Sequence, residues 1–376
     1  MAGIYIHIPF CRQACHYCNF HFSTSLKLQN DFLEALLKEI RIRRDYLSAE
    51  RISTIYFGGG TPSLMPEQAI ARVMNAIHEH FEVQDDAEVT FEANPDDITP
   101  ESLKFWRNQS INRLSIGIQS FFEDDLKWMN RAHNAMQAKE CIENALSAGF
   151  NNMSIDLIYG TPGLTDAKWE ENLETAVRYG IPHLSCYALT VEPGTALDMM
   201  TRKKKVPEIS NEDHARQFLL MTDYLQMHGY EHYEISNLAL PGKRSKHNSS
   251  YWSGEKYLGL GPSAHSFDGK SRQWNIANNA LYIQSLNNDT LQFEKEELTD
   301  QQRLNEYLMT SLRTMEGTEL EHVRKNFGSE YAGEISSEAS RFKNRGWMQH
   351  ISDRLILTRE GKLFADGIAS ELFVSS

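Results

Sequence analysis

Over its first 190 residues the chain alternates short apolar runs with helical patterns, and this rhythm leaves few folds open to it. Ile4 to Ile8, Ser53 to Phe57, Glu88 to Ala93, Leu114 to Ile118, Ile155 to Tyr159 and Leu184 to Leu189 read as six strands. Between them Phe32, Leu33, Leu36, Leu37 and Ile40 recur at helical spacing within 30–47, and Pro66 opens a helix carrying Ile70, Val73, Ile77 and Phe81. Further helical segments lie near 101–108, 135–148 and 168–179. Because such an order packs helices outside a parallel sheet, the expected class is α/β, and six units give a partial (β/α)6 barrel rather than a closed eight-stranded one. Cys11, Gly59, Glu92, Gln119 and Asp156 fall in or just after strand ends, the rim where sites gather on such folds.

After residue 190 the rhythm fails. Thr201 to Val206 is a short basic run, read as a solvated loop. Residues 212–228 are helical in pattern, while 241–280, rich in Gly, Ser, Asn and aromatics, read as a long structured loop. Helical segments from Leu298, then Gly346-Trp347-Met348, Leu355 to Thr358 and a closing helix from Gly361 to Leu372, suggest a mostly helical, winged-helix-like domain. The expected division is a barrel over 1–240, a connecting region over 241–290 and the C-terminal domain over 291–376.

Three of the five cysteines fall within one short segment, Cys11-Arg12-Gln13-Ala14-Cys15-His16-Tyr17-Cys18. An odd number of cysteines in a chain of 376 residues argues against a disulfide framework. Clustered thiolates on a loop after a strand select an iron–sulfur cluster or zinc; zinc would need a fourth ligand, for which His16 and His21 are the candidates. Cys141 and Cys186 sit among apolar neighbours and read as core, and His265 reads as structural. The net charge of −13 lacks the footprint of a nucleic-acid binder, and no apolar run is long enough to span a membrane, although transient association with a membrane surface stays open. No basic segment followed by a long apolar stretch opens the chain, so a cytoplasmic protein is expected.

The C-x3-C-x2-C spacing resembles the radical S-adenosylmethionine (SAM) superfamily, in which three thiolates hold a [4Fe–4S] cluster and the open iron chelates SAM. Gly58-Gly59-Gly60-Thr61-Pro62 resembles that superfamily's glycine turn for the SAM amino group; read from the residues alone it is equally a tight turn. Tyr5-Ile6-His7-Ile8-Pro9-Phe10-Cys11, the glycine turn, Phe91-Glu92-Ala93-Asn94-Pro95, Gly117-Ile118-Gln119-Ser120 and Ser154-Ile155-Asp156-Leu157-Ile158-Tyr159-Gly160 follow in this order. Together they resemble the oxygen-independent coproporphyrinogen III oxidase family, HemN, and its haem-chaperone relative, HemW. The resemblance implies SAM contacts from Tyr5, Tyr17, Gly59, Gly60, Thr61, Glu92, Gln119, Arg131 and Asp156, and cluster ligation by Cys11, Cys15 and Cys18.

Two features separate the relatives. The oxidase carries a fourth cysteine two residues after the third, where this chain has Phe20, and an N-terminal extension, where only four residues precede Tyr5. The string His247-Asn248-Ser249-Ser250-Tyr251-Trp252 resembles the chaperone's haem motif, with His247 as the implied iron ligand; a packed, hydrogen-bonded core histidine is the plainer reading. The favoured function is haem trafficking rather than oxidative decarboxylation of coproporphyrinogen propionates. The implied cofactors are a [4Fe–4S] cluster, SAM and haem, and the implied partners a haem-acceptor protein and an electron donor.

Overall fold

The computed structural model describes residues 2–48, 50–206 and 210–374. All six expected strands form, within a few residues of their expected bounds: β1 (Ala2–Ile8), β2 (Ile52–Gly59), β3 (Val83–Ala93), β4 (Arg113–Gln119), β5 (Met153–Tyr159) and β6 (His183–Ala188). Helices α1 (Gln29–Ile42), α2 (Glu67–His80), α3 (Pro100–Asn108), α4 (Glu123–Trp128), α5 (Ala135–Ser147) and α6 (Asp166–Arg178) alternate with them. The first six strands pair in parallel in sequence order. Local chemistry starts the helices: α3 and α5 open in reciprocal capping boxes, Thr99 with Ser102 and Asn134 with Gln137, which satisfy backbone donors that have no partner within the helix. Each helix then buries one apolar stripe, as α1 does with Phe32, Leu33, Leu36 and Ile40.

The next elements are α7 (Ala196–Arg202), α8 (Asn211–Met227), β7 (Glu231–Glu234), β8 (Asn237–Ala239), α9 (Lys246–Trp252), β9 (Lys256–Leu260), β10 (His265–Phe267), β11 (Ser271–Asn275), α10 (Asn279–Asn287) and β12 (Phe293–Glu297). Here the structure corrects the sequence reading. Residues 241–280 are not a loop: they supply a helix and three strands, and β9 lies parallel to β1, pairing Tyr5 with Gly259. The sheet therefore has twelve strands, in the order β12-β11-β10-β9-β1-β2-β3-β4-β5-β6-β8-β7, with seven parallel strands at its centre. The basic run begins in the last turn of α7; Arg202 to Lys205 are exposed, as expected, while Thr201 and Val206 are half-buried.

One buried carboxylate holds this added region in place. Glu39 of α1 is fully buried and accepts hydrogen bonds from Gly261 N (2.7 Å), Asn275 Nδ2 (2.7 Å) and Tyr282 OH (2.6 Å). Burial raises its pKa, and these three donors oppose the rise. The C-terminal elements α11 (Asp300–Ser311), β13 (Thr318–Glu319), α12 (Leu320–Asn326), α13 (Ser329–Asn344), β14 (Met348–Ile351), β15 (Arg354–Leu357) and α14 (Ala365–Glu371) enclose a second core built on Leu304, Leu308, Val323, Phe342 and Leu355. Their small sheet runs β13-β15-β14, the wing of the expected module. It is fastened to β7 by Met315 N to Tyr233 O (3.0 Å), Ile235 N to Arg313 O (3.1 Å) and the Arg313–Glu234 ion pair (3.0 Å).

Replacing Glu39 by Leu strands three buried donors. Glu39→Leu is expected to lower unfolding free energy by on the order of 3 kcal/mol, read from urea denaturation. A variant within about 0.5 kcal/mol of the parent, the ordinary range of surface substitutions, would show that the region around β9 to β11 is held by packing alone.

Candidate functional site

Along the parallel strands, the burial pattern breaks at single positions: Gly59 ends β2, Glu92 interrupts β3, Gly117 interrupts β4 and Asp156 interrupts β5. A continuous buried run is what a strand covered on both faces should show. The breaks mark one cavity of about 370 Å³ at the carboxyl ends of these strands, lined by Cys11, Cys15 and Cys18 on one side and by Glu92, Gln119 and Asp156 on the other.

The cysteine loop is held by backbone and amide contacts on both flanks. Cys11 N donates to Ser23 O (3.0 Å) and Ser23 N to Pro9 O (2.9 Å). Across the loop, Asn130 donates to Ala14 O (2.8 Å) and receives Gln13 Nε2 (2.7 Å). All three thiols are free and half-buried. Thr61 Oγ1 lies 3.6 Å from Cys11 Sγ and Arg131 Nη1 lies 3.3 Å from Cys15 Sγ. Burial pushes the Cys11 thiol up to about 11, against the hydrogen bond from Thr61, and burial also raises Cys18. A bound cation reverses that preference, because a coordinating thiol loses its proton outright. Of the two histidines, His16 Nδ1 is 2.8 Å from Trp128 O and His21 Nε2 is 2.7 Å from Asn279 Oδ1. Among the described residues no three His, Cys, Asp or Glu side chains gather about a single-ion position. A cubane takes one thiolate at each of three corners and fits a more open spacing.

The far wall is polar and half-buried. Glu92 Oε1 accepts from Tyr56 OH at 2.8 Å, and burial raises its pKa to about 8, with Tyr56 opposing. Burial raises Asp156 to about 6, opposed by Arg113. Arg131 spans the cavity: Nη2 donates to Asn94 Oδ1 and Gly117 O, both at 2.8 Å, while its buried Nε has no partner. Gln119 lies at φ +66°, a left-handed conformation unusual for a side-chain-bearing residue, where β4 departs from regular register with β5. Tyr17, Gly59, Gly60 and Thr61 also line the cavity, so eight of the nine residues that the resemblance implied for SAM come together.

Tyr5 does not. It is absent from the lining; its hydroxyl lies 3.2 Å from His7 Nδ1 and its ring packs near Tyr56 and His247. His247 is a second correction. It is 1% exposed, Nδ1 is 2.8 Å from Thr54 Oγ1, Nε2 is 2.9 Å from Tyr251 OH, and the ring stacks on Tyr56 at 5.0 Å. Both nitrogens are engaged, so neither is open to an iron. The glycine turn is a third. Gly60 N donates to Ile8 O and Thr61 N to Phe10 O, at 2.8 and 2.7 Å, and a Cβ at Gly60 would sit 2.6 Å from Phe10 O. Gly60 therefore has no room for a side chain whether or not a ligand sits beside it, because the backbone of the cysteine loop crosses it.

Sequence reasoning missed Tyr56, Asn94, Tyr187 and Asn248, all in the lining. Tyr56 was findable, since it alternates with Gly58 on the inward face of β2. Asn248 was not, because only the fold brings α9 against this sheet.

Residues 5–195 match the family model described as Radical SAM superfamily, and residues 298–364 the one described as HemN C-terminal domain. The curated Heme chaperone HemW of Mycobacterium tuberculosis is 33% identical, the match covering 98% of this chain and 94% of that protein. Heme chaperone HemW of Bacillus subtilis is 32% identical, covering 98% of each. The solved structure of coproporphyrinogen III oxidase (HemN) from Escherichia coli, titled a Radical SAM enzyme, superposes with a TM-score of 0.85 over 99% of this chain and 90% of that one; at 22% identity this likeness is one of fold.

Gly60→Ala tests the reading of the turn. The added methyl meets main-chain atoms, so the ligand-free protein is expected to lose about 1–3 kcal/mol, measured as a fall in the thermal midpoint. An unchanged melt combined with lost ligand binding would return Gly60 to a role at the ligand.

Proposed function

The chain belongs to the radical SAM superfamily, in the HemW family of haem chaperones, and on that premise we propose that it binds a [4Fe–4S] cluster, SAM and haem and passes haem to an acceptor protein. The observation that carries the first part is the donor set: three free, half-buried thiols on one anchored loop, facing two half-buried carboxylates and a guanidinium across one cavity. Cys11, Cys15 and Cys18 would hold the cluster, which when bound supplies one-electron reduction and leaves an iron to SAM. Glu92 and Asp156 suit the cationic and hydroxyl groups of SAM, Arg131 and Asn94 its carboxylate, and Tyr17, Gly59, Thr61, Gln119 and Tyr56 complete the wall. Tyr5 acts through its packing on Tyr56.

The enclosed His247 does not fit as the iron ligand, whereas the outer face of the same helix fits a porphyrin. Trp252 and Ser249 line a separate cleft of about 340 Å³ between α9 and the C-terminal module. The buried Trp252 Nε1 and Ser249 Oγ there lack hydrogen-bond partners. Arg244, Lys246 and Arg354 border the cleft and suit propionate carboxylates, which would compete with Glu231 and Glu316 for Arg244 and with Glu319 for Arg354. An aromatic face beside cations is the chemistry a porphyrin dicarboxylate needs. We place the protein in the cytoplasm, with an electron donor and a haem acceptor as partners and no nucleic acid; among the described residues no helix is long and apolar enough to cross a membrane.

Two measurements test this. In anaerobically reconstituted protein, replacing Cys11, Cys15 and Cys18 together by Ala is expected to remove bound iron, sulfide and the brown chromophore; full retention would remove the cluster assignment. In haem titrations, Trp252→Ala is expected to weaken binding by roughly tenfold, about 1.4 kcal/mol, while His247→Gln leaves the Soret position unchanged. A Soret band lost only in His247→Gln would restore the histidine as ligand. Wild-type protein that decarboxylates coproporphyrinogen under reductant and SAM would make it an oxidase instead.

A further inference from the structure

A guanidinium carries donors only, and that property orders a ring of hydrogen bonds around two of the three clustered thiols. Arg131, on the turn after α4, donates through Nη1 to Cys15 Sγ (3.3 Å) and through Nη2 to Gly117 O and Asn94 Oδ1 (both 2.8 Å). A Cβ at Gly117 would come within 3.1 Å of that Nη2, so the glycine keeps its place open. Because Arg131 cannot accept, the Asn94 amide turns its oxygen to the guanidinium and its nitrogen the other way. That nitrogen donates to Thr61 Oγ1 (3.2 Å). The Thr61 hydroxyl, having accepted there, has its single proton left for Cys11 Sγ, 3.6 Å away. The contacts thus run from Cys15 through Arg131, Asn94 and Thr61 to Cys11, with Asn94 as the hinge. Cys18 stands outside this ring and takes its hydrogen bond from the main chain at Phe20.

The hinge is itself held from behind. Asn94 N lies 3.3 Å from Ser63 Oγ, Ser63 Oγ donates to Asp97 Oδ2 (2.7 Å), and Asp97 Oδ1 accepts from Arg12 Nη2 (2.7 Å). Arg12 is the residue after Cys11, so this second path returns to the cysteine loop. Pro95 follows Asn94 and confines it to extended backbone, at φ −86° and ψ 147°. The amide therefore has little freedom to point elsewhere.

We propose that Asn94 is a positioning residue for the metal centre: one amide aims the Thr61 hydroxyl at Cys11 and the Arg131 guanidinium at Cys15, and through these two donors sets the reduction potential. This rests on the reading of Cys11, Cys15 and Cys18 as ligands of a [4Fe–4S] cluster. Hydrogen bonds to ligating sulfurs are among the factors that fix such a potential. The sign follows from charge. Reduction takes one electron from a low-potential external donor and makes the centre and its thiolates more negative. A donor at sulfur offsets that charge, favours the reduced state and raises the potential. Loss of a donor lowers it. Asn94 acts here through Thr61 and Arg131, whatever further contact it makes with a ligand in the cavity.

The test uses the full chain, reconstituted anaerobically with iron and sulfide and titrated without SAM. Reduction potential is read by electron paramagnetic resonance, and the Fe–S(Cys) stretches by resonance Raman. Thr61→Val is expected to lower the reduced-to-oxidised ratio about tenfold at a fixed potential, about 59 mV for one electron, and to shift a stretch. Thr61→Ser, which keeps the hydroxyl, is expected to stay at the wild-type potential. Asn94→Ala is expected to fall at least as far as Thr61→Val, because both donors lose their aim, and the double variant to fall no further than Asn94→Ala. Asn94→Ala at the wild-type potential with full iron and sulfide overturns the proposal. So do single shifts that add in full in the double variant, because Asn94 would then act independently of Thr61. Cluster loss in both Asn94→Ala and Asn94→Ser also overturns it, since Asn94 would then be needed to build the centre rather than to set its potential. Wild-type protein that takes up no iron and sulfide removes the reading of the thiols and the proposal with it, an outcome seen before any variant is made.

Discussion

Two backbone hydrogen bonds, Gly60 N to Ile8 O and Thr61 N to Phe10 O, join the end of β2 to the start of the cysteine loop, and the site is built on that junction. They require the two main chains to cross so closely that a Cβ at Gly60 has no room. The crossing sets where Cys11 leaves the sheet and brings Thr61 Oγ1 to its sulfur. Asn130 and Gln13 secure the loop's far side, so the three thiols face the cavity on a frame that is settled before any metal arrives. Because the frame is formed by main-chain contacts, it tolerates change in the surrounding side chains better than change at the glycine.

The interior of the parallel sheet is charged to an extent that stability alone would not select. The half-buried Glu92, Asp156 and Arg131 line one cavity, the buried Arg113 shares a face of β4 with its lining residues Ser115 and Gly117, and Arg113 and Arg131 have nitrogens with no partner. Burying such groups costs several kcal/mol apiece unless charges offset one another. Strain at Gln119 adds to this. The offset comes from the large apolar core between sheet and helices, where Trp106, Trp169, Phe91 and Phe150 are almost wholly buried. A chain with this much apolar burial can sustain a poorly satisfied polar interior.

Much of this was legible in the residues. Six strands followed from apolar runs, and Cys11, Gly59, Glu92, Gln119 and Asp156 lie on one cavity as their positions near strand ends implied, with Cys15, Cys18 and Arg131, named by the resemblance, beside them. What was not legible involved contacts between distant segments. Residues 256–260 are too short and too glycine-rich to announce a strand, and become β9 only because β1 presents an open edge and Glu39 gathers the following turns. The resemblance of its string to a haem motif implied His247 as a ligand, while the residues alone read as a packed core histidine. Its neighbours in space, Thr54 from β2 and the ring of Tyr56, make it a plug.

The sequence by itself determined the periodicities, the order of strand and helix, and the set of donors clustered on one loop, because these depend on residues within a turn or two of each other. Tertiary structure decided which polar groups are buried, which histidine nitrogens are taken, and that the Arg113 guanidinium is buried without a hydrogen-bond partner. Those are properties of pairs brought together across the sheet, such as His247 with Thr54, and burial and electrostatic coupling exist only once the chain has closed around them.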